Sequence, residues 1–343
     1  MDDARFEPGR VGPSGGEPHG PLPQPFRSAS ANDELRVDVS PCERVLRQTD
    51  NVALGRHSCA PNHPLFVGGA GPHSCAYIAF HRSSLRMRIA DWRAEVVTPI
   101  NVTFHHFGQR FSRESIGKEG DECDWIAVSP AIARLVWPEL SEPHQAQAAP
   151  TRPIAPLPAH LFLRQRRLFA RAIQSSDQDD GALQADVLDL TRAVVSSART
   201  HWNDATRKRR RPKPICLRRR FQIVEAAKSL LAAEPCAGFS VTELAYRLHC
   251  SVAHLSRTFH ASTGFRITDY RQELRLRKGL LLLEDGALEI GHIANRLGFA
   301  SHSHFTDAFR RRFSMNPSEY IRSKSSAPIR SGSGSAGCTA AIS

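Results

Sequence analysis

The sequence predicts a multidomain chain: an N-terminal β-rich domain with helices, then an all-α C-terminal domain with two helix-turn-helix units. Three observations carry this. A helix-turn-helix pattern occurs twice in the last third, at Ser240–Phe259 and Glu289–Phe313. Short alternating apolar segments, separated by Gly and Pro clusters, fill residues 35 to about 140. The length of 343 residues suits about two domains.

Residues 1–34 are rich in Pro, Gly and Ser and read as a disordered tail. The start, MDDARFEPGR, has no apolar core, so no signal peptide is expected. No apolar run approaches the roughly 20 residues of a membrane span. A cytoplasmic location and no membrane partner are therefore expected. The eight Cys lack close regular spacing and read as reduced thiols rather than a disulfide framework.

Residues 35–200 read as strands followed by helices. Leu85, Met87 and Ile89 alternate with Arg86 and Arg88, and Val102, Phe104 and His106 alternate with Thr103 and His105. Both are patterns of half-buried strands. A small antiparallel barrel or sandwich fits them. Two helical stretches follow. Leu161, Leu168, Phe169, Ala172 and Ile173 line one side of the first. Leu183, Val187, Leu190 and Val194 make a seam on the second, which serves either packing within the chain or a coiled-coil homodimer. Residues 201–217 form a basic linker around the Pro-broken run from Arg207 to Pro214. Residues 218–322 hold the two repeated units, and 323–343 read as a second disordered tail.

The repeat is visible residue by residue. Val241, Leu244, Ala245 and Leu248 match Ile290, Ile293, Ala294 and Leu297 at an offset of 49. Leu255, Phe259 and Tyr270 match Phe305, Phe309 and Tyr320 at an offset of 50, so the second turn has one extra residue. Each first helix has apolar residues at i, i+3, i+4 and i+7, one face of an α-helix. Small Ala245 and Ala294 sit mid-face, where a second helix must approach. Ser240 with Glu243 has the form of a capping box, and Ser251 and Ser301 are N-caps for the second helices. Gly298 suits a turn that needs positive φ, whereas His249-Cys250 suits it less. Ile267–Asp285 reads as one long connecting helix with Arg271, Arg275 and Lys278 on one face.

Charge follows the repeat. Residues 203–324 hold 23 of the 46 basic and 11 of the 34 acidic side chains. The rest of the chain is balanced at 23 each, so the whole excess of +12 lies with the repeated helices. A localised basic domain fits a polyanion such as double-stranded DNA.

The stretch IANRLGFASHSHFTDAFRRRFSMNPSEYIR carries Ile293-Ala294, Gly298-Phe299, Phe305, Phe309 and Pro317-Ser318-Glu319-Tyr320. With these motifs the region Arg218–Arg322 resembles the DNA-binding domain of the AraC/XylS family of bacterial transcription regulators. The resemblance implies a seven-helix domain whose two motifs are joined by a linker helix. By domain order it also implies a cupin-like sensing barrel and dimerising helices at 35–200. Promoter or operator DNA, a small-molecule effector, a homodimer and, for an activator, RNA polymerase are the partners it implies.

The resemblance assigns base reading to Ala253, His254, Ser256 and Arg257 in the first unit, and to His302, Ser303, Thr306 and Asp307 in the second. Arg257 is the strongest of these, because a guanidinium bonds bidentately to guanine O6 and N7. Ser251, Ser301, Arg310, Arg311 and Arg312 are assigned to phosphates, which position without specifying sequence. Three positions depart from the family pattern. Asp307 stands where a basic residue is frequent, Ser314 where Gly is usual, and His304 where an aromatic commonly precedes Phe305.

Cys59, His63, His73 and Cys75 lie close in sequence, with Cys123 a further thiol. Their spacing lacks a tight CxxC pair, so buried or idle thiols and solvent imidazoles are the expected reading. Trp92, Phe107 and Gln109 are candidates to line an effector pocket. The alternative function is a DNA-modifying or metal/thiol-sensing protein that uses the same domain for DNA targeting. DNA-repair methyltransferases of the family need a catalytic Cys in an active-site motif and a Cys-rich zinc cluster, and this sequence shows neither. No catalysis, cofactor or metal is therefore expected.

Overall fold

Alternating segments of the N-terminal half build strands, and the apolar stripes beyond them build helices. The computed structural model describes residues 35, 37, 40–67, 71, 75–137, 152–174, 180–207, 214–236 and 238–325. The predicted tail at 1–34 lies outside these residues. So does the second tail beyond Ser325, and so do residues 208–213 of the basic linker.

The strands are β1 (Glu43–Gln48), β2 (Val52–Cys59), β3 (Ala76–His81), β4 (Leu85–Ile89), β5 (Glu95–Val97), β6 (Asn101–His105), β7 (Phe111–Ser115), β8 (Asp121–Val128) and β9 (Ile154–Pro156). They form two antiparallel sheets, one ordered β1-β2-β8-β3-β6-β9 and one ordered β5-β4-β7. Short helices α1 (Pro64–Val67) and α2 (Pro130–Val136) interrupt them. Ser129 caps α2 by accepting from the Ile132 amide.

The register sorts the larger sheet into two faces. Val52, Leu54, Ile78, Phe80, Val102, Phe104, Ile126 and Val128 point one way, into a core covered by α3 (Ala159–Gln174) and α4 (Asp180–Arg207). The seam Leu183, Val187, Leu190 and Val194 is buried in this core, so it packs within the chain and is not left for a homodimer. Ile173 departs from the expected stripe. It lies in the last turn of α3, past the arc that buries Phe162, Phe169 and Ala172, and is 53% exposed.

The other face carries His57, His81, Thr103, His105, Asp121 and Cys123 toward the smaller sheet, all buried. Arg113 of β7 crosses to them, donating to Asp121 Oδ2 at 2.5 Å and lying 3.0 Å from His57 Nε2. Thr103 Oγ1 lies 3.0 Å from His81 Nε2 and 3.0 Å from His105 Nε2. Strand β6 is therefore buried on both faces rather than half-buried. His106 falls beyond its end, against Trp137.

The C-terminal part has seven helices among the described residues: α5 (Pro214–Ala233), α6 (Val241–Arg247), α7 (Val252–Thr263), α8 (Ile267–Asp285), α9 (Ile290–Arg296), α10 (His302–Phe313) and α11 (Pro317–Ser325). The first unit, α6 and α7, packs with α5 around Leu231, Leu244, Leu255, Phe259 and Tyr270. The second, α9 and α10, packs around Ile293, Leu297, Phe305 and Phe309, and this core is continuous with that of the sheet and α3. Gly279 of α8 permits this approach, since a Cβ there would stand 2.9 Å from Leu297 and 3.0 Å from Phe305.

Charged groups join the two parts. Asp124 of β8 is fully buried and accepts from Arg56 at 2.9 Å, from Gln165 at 3.2 Å and from Arg166. Arg166 also binds Glu284 of α8, with one contact of 2.8 Å. Glu284 accepts in turn from Tyr320 at 2.6 Å. Arg82 lies 3.8 Å from Asp124 and 3.7 Å from Glu284. Burial alone would raise the Asp124 pKa, but Arg166, Arg82 and Arg56 outweigh it and hold the carboxyl below its usual range. Removing one partner of such a set leaves another charge buried without compensation. Glu284→Gln is expected to cost about 3 kcal/mol in a urea titration, and a loss within error of zero would contradict the network.

A pH dependence also follows. Burial drives the His81 pKa from 6.5 to about 4; Asp121 opposes the shift, while His57 and Arg113 add to it. The unfolded chain then binds more protons than the folded one between those two values. Stability is present above the unfolded pKa and is lost as pH falls through that window, by about 3 kcal/mol from this group. His81→Gln should flatten stability against pH over the same window, and an unaltered slope would remove His81 as its source.

Candidate nucleic-acid interface

Each unit is built by the same backbone bonds. In the first, Leu248, His249 and Cys250 donate to the carbonyls of Leu244, Tyr246 and Ala245 at 3.1, 3.0 and 3.1 Å. In the second, Leu297, Gly298 and Phe299 donate to Ile293, Asn295 and Ala294 at 3.0, 2.9 and 3.0 Å. The chain then gains Ala300 before Ser301, the one-residue slip of the repeat. Ser251 and Ser301 accept from the amides of His254 and His304 at 3.2 and 3.1 Å, as N-caps. Ser240 accepts from the Glu243 amide at 3.1 Å, while the Glu243 carboxylate binds Arg247 at 2.5 Å.

The outer faces of α7 and α10 are polar. Ala253, Ser256 and Arg257 are exposed and His254 is half-buried. His302, Ser303 and Asp307 are exposed. Thr306 is half-buried with its hydroxyl oxygen enclosed and unpartnered, so presenting that oxygen outward requires a side-chain rotation. Asp307 pairs with Arg310 at 3.2 Å, which offsets its charge within the helix. Arg310 and Arg311 are exposed. Arg312 departs from the expected phosphate set. It turns back to pair with Glu273 of α8, the same carboxylate that binds Arg277 at 2.6 Å.

The basic face of α8 turns out to be structural. Arg271 donates to the Phe239 carbonyl at 2.8 Å and lies 4.5 Å over the Phe239 ring. Arg275 donates to the Leu297 carbonyl at 2.6 Å and lies 4.2 Å over Phe299. One arginine thus holds each unit to the connecting helix. Lys278 pairs with Glu119 of the β7–β8 loop. His304 packs edge-on against Phe299 at 5.6 Å, taking the aromatic part expected at its position.

Beside the first unit, a cleft of about 530 Å³ is lined by Arg219, Arg220, His249, Cys250, His254 and Arg257, among others. Arg219 and Arg220 come from α5. Their place beside α7 depends on helix packing that local periodicity does not encode; only the basic triplet from Arg218 to Arg220 hinted at it. Trp92 donates to Glu95 at 2.9 Å, Phe107 is 42% exposed and Gln109 accepts from the His106 amide at 3.0 Å.

Comparison with known proteins bears on the same region. Residues 244–323 match the family model of a helix-turn-helix domain. The HTH-type transcriptional regulator GlxA of Rhizobium meliloti is 38% identical over 81 residues, 24% of this chain and 25% of GlxA. An AraC-like transcription regulator of Streptomyces antibioticus is 30% identical over 98 residues, 29% of this chain and 32% of that protein. The crystal structure of an AraC-type transcriptional regulator from Chromobacterium violaceum is 28% identical, with a TM-score of 0.29, over 31% of this chain and 96% of that one. The chain spans a quarter to about a third of the length of these two curated relatives. It carries a helix-turn-helix domain, and that region is similar in sequence to AraC-like regulators.

The repeat supplies its own test of backbone strain. His249 (φ 50°) occupies the place of Gly298 (φ 69°), and Ser314 (φ 58°) that of Gly264 (φ 76°). Each unit therefore holds one non-Gly residue in the left-handed region, at about 1–2 kcal/mol. His249→Gly and Ser314→Gly should each raise stability by about 0.5–1 kcal/mol after the added chain entropy of Gly. A lower denaturation midpoint in either variant would refute this.

Proposed function

We propose that the chain is a sequence-specific DNA-binding transcription regulator acting in the cytoplasm without catalysis of its own. One observation carries the reading. Two units with the same turn geometry present polar helices outward and are fixed to one 19-residue helix by Arg271 and Arg275. Helices α7 and α10 enter successive major grooves, about 34 Å apart on one side of the duplex. Ala253, His254, Ser256 and Arg257 read one half-site, and His302, Ser303, Thr306 and Asp307 the other. Ser251, Ser301, Arg310 and Arg311 hold phosphates, joined by Arg219 and Arg220. Arg312 leaves that set because Glu273 engages it.

The N-terminal part receives a signal, a small molecule binding among the buried polar groups between the sheets. Regulation then runs through the contacts of α8 with that part. RNA polymerase is a further partner if the outcome is activation. A homodimer would use a surface other than the α4 seam.

The reading is tested by selecting sites from random DNA with the full chain, then titrating binding at two salt concentrations. Two enriched half-motifs about one turn apart are expected. Salt-sensitive binding with no enriched sequence would defeat base reading and leave only charge. Arg257→Ala should cost about 1–3 kcal/mol on the selected site and relax one base position. Arg311→Ala should weaken all sequences alike and lower the salt slope by about 1.

A further inference from the structure

The thiols of the β-rich part separate in the fold. Cys75 packs with Ala53, Trp125 and Ala127 in an apolar cluster, and Cys123 lies in the polar interior. His73 lies outside the described residues. Cys59 and His63 instead meet Cys42, which sequence spacing does not group with them. One donor atom from each of the three lies within 4.8 Å of the other two. Cys42 Sγ is 3.7 Å from His63 Nδ1 and 4.0 Å from its Nε2. Cys42 and Cys59 are within hydrogen-bonding contact.

The backbone fixes this arrangement. The Ser58 amide donates to the Cys42 carbonyl at 2.9 Å, holding the start of β1 beside the end of β2. The His63 amide donates to the Ala60 carbonyl at 3.0 Å, and this turn folds the imidazole back beside Cys59. The three donors therefore come from separate positions whose relative placement is set by strand pairing and one turn.

We propose that Cys42, Cys59 and His63 form a zinc-binding site. Two thiolates and an imidazole are the donors a borderline-soft cation selects, and the group contains no carboxylate that would favour Ca²⁺ or Mg²⁺. Zinc bonds of roughly 2.3 Å to sulfur and 2.0–2.1 Å to nitrogen place tetrahedral donors roughly 3.5–3.8 Å apart. The observed set, within 4.8 Å, needs a contraction of about 1.3 Å at most to reach that spacing. Cys59 is buried and anchors the site, while Cys42 and His63 are half-exposed and give the ion a way in. Three protein donors leave a fourth position for water or a ligand from outside. Each thiol releases its proton to solvent as its sulfur bonds the ion, so binding one Zn²⁺ frees two protons. The bound ion ties edge strand β1 to β2 and to the turn before α1.

The test uses the full chain, reduced and freed of metal. Zn²⁺ is titrated against a chromophoric chelator, and Co²⁺ is used to read thiolate-to-metal charge-transfer absorption. One equivalent of Zn²⁺ is expected, with that absorption present. Cys42→Ser should abolish the absorption, and His63→Ala should weaken binding at least tenfold. Both positions are half-exposed, so these variants fold even where a change at buried Cys59 does not; circular dichroism checks this. Cys75→Ser should leave uptake unchanged. Absence of stoichiometric uptake, or uptake that survives Cys42→Ser with its charge-transfer band intact, would overturn the site.

Discussion

The guanidinium of Arg277 sets the terms for the rest of the structure. It is fully buried, and burial lowers its pKa against the pull of Glu273. A buried cation is tolerated only when its donors are used. Here Glu273 takes one at 2.6 Å, the Pro99 carbonyl another at 2.7 Å and the Leu157 carbonyl a third at 2.5 Å, with the Phe162 ring 4.7 Å away. These partners lie on α8, in the β5–β6 turn and just ahead of α3. None can move away without leaving charge unmatched. Helix α8 carries both helix-turn-helix units, so their placement is tied to the β-rich part by an electrostatic requirement as well as by apolar packing.

The same logic explains how the buried polar face between the sheets relates to that joint. A strand turns successive side chains to opposite faces. On β2, Arg56 faces the joint and His57 the interior. On β8 the pair is Asp124 and Cys123, and Arg82 follows His81 at the end of β3. His57, Cys123 and His81 are thus each one residue from a group of the charged network. A ligand that shifted these strands would act on Asp124 and Arg82, and through Arg166 on Glu284, without any long lever.

The legible part of this fold is the part written in local period. The turns of both units, the N-caps Ser251 and Ser301, the bounds of α8 and the seam residues of α4 all follow from spacing along one helix, though the inward packing of that seam does not. What escaped is set by pairing between distant segments. Cys42 meets Cys59 because β1 pairs with β2, which no motif in either segment records. Arg312 reads as one of three equivalent arginines, yet its position on α10 faces Glu273 rather than solvent. The alternation at Val102–His106 reads as half-buried because polar His105 and Thr103 resemble solvent-facing residues; a second sheet covers them. Spacing shows that Arg271, Arg275 and Lys278 share one face of α8, but not that rings and carbonyls of the two units absorb the arginines and that Glu119 takes the lysine.

The two reading units are alike in backbone but not in setting. The first has its own apolar core, closed by α5, and meets the β-rich part through Ile100, Thr98 and the Glu225 contact with the Val96 amide. The second shares one continuous core with the sheet and α3. A rearrangement of α3 therefore reaches Phe305 and Phe309 directly, whereas it reaches the first unit through α8 and the Val96–Ile100 contacts. Bipartite readout needs both helices in their grooves at once, and linked sites gain affinity only when geometry allows joint engagement. A small rotation of one unit relative to the other would forfeit that gain while leaving each unit folded. Under the proposed bipartite reading, control falls on the relation between the two units, and the second, which shares its core with the sheet and α3, is the one coupled to the β-rich part by continuous packing.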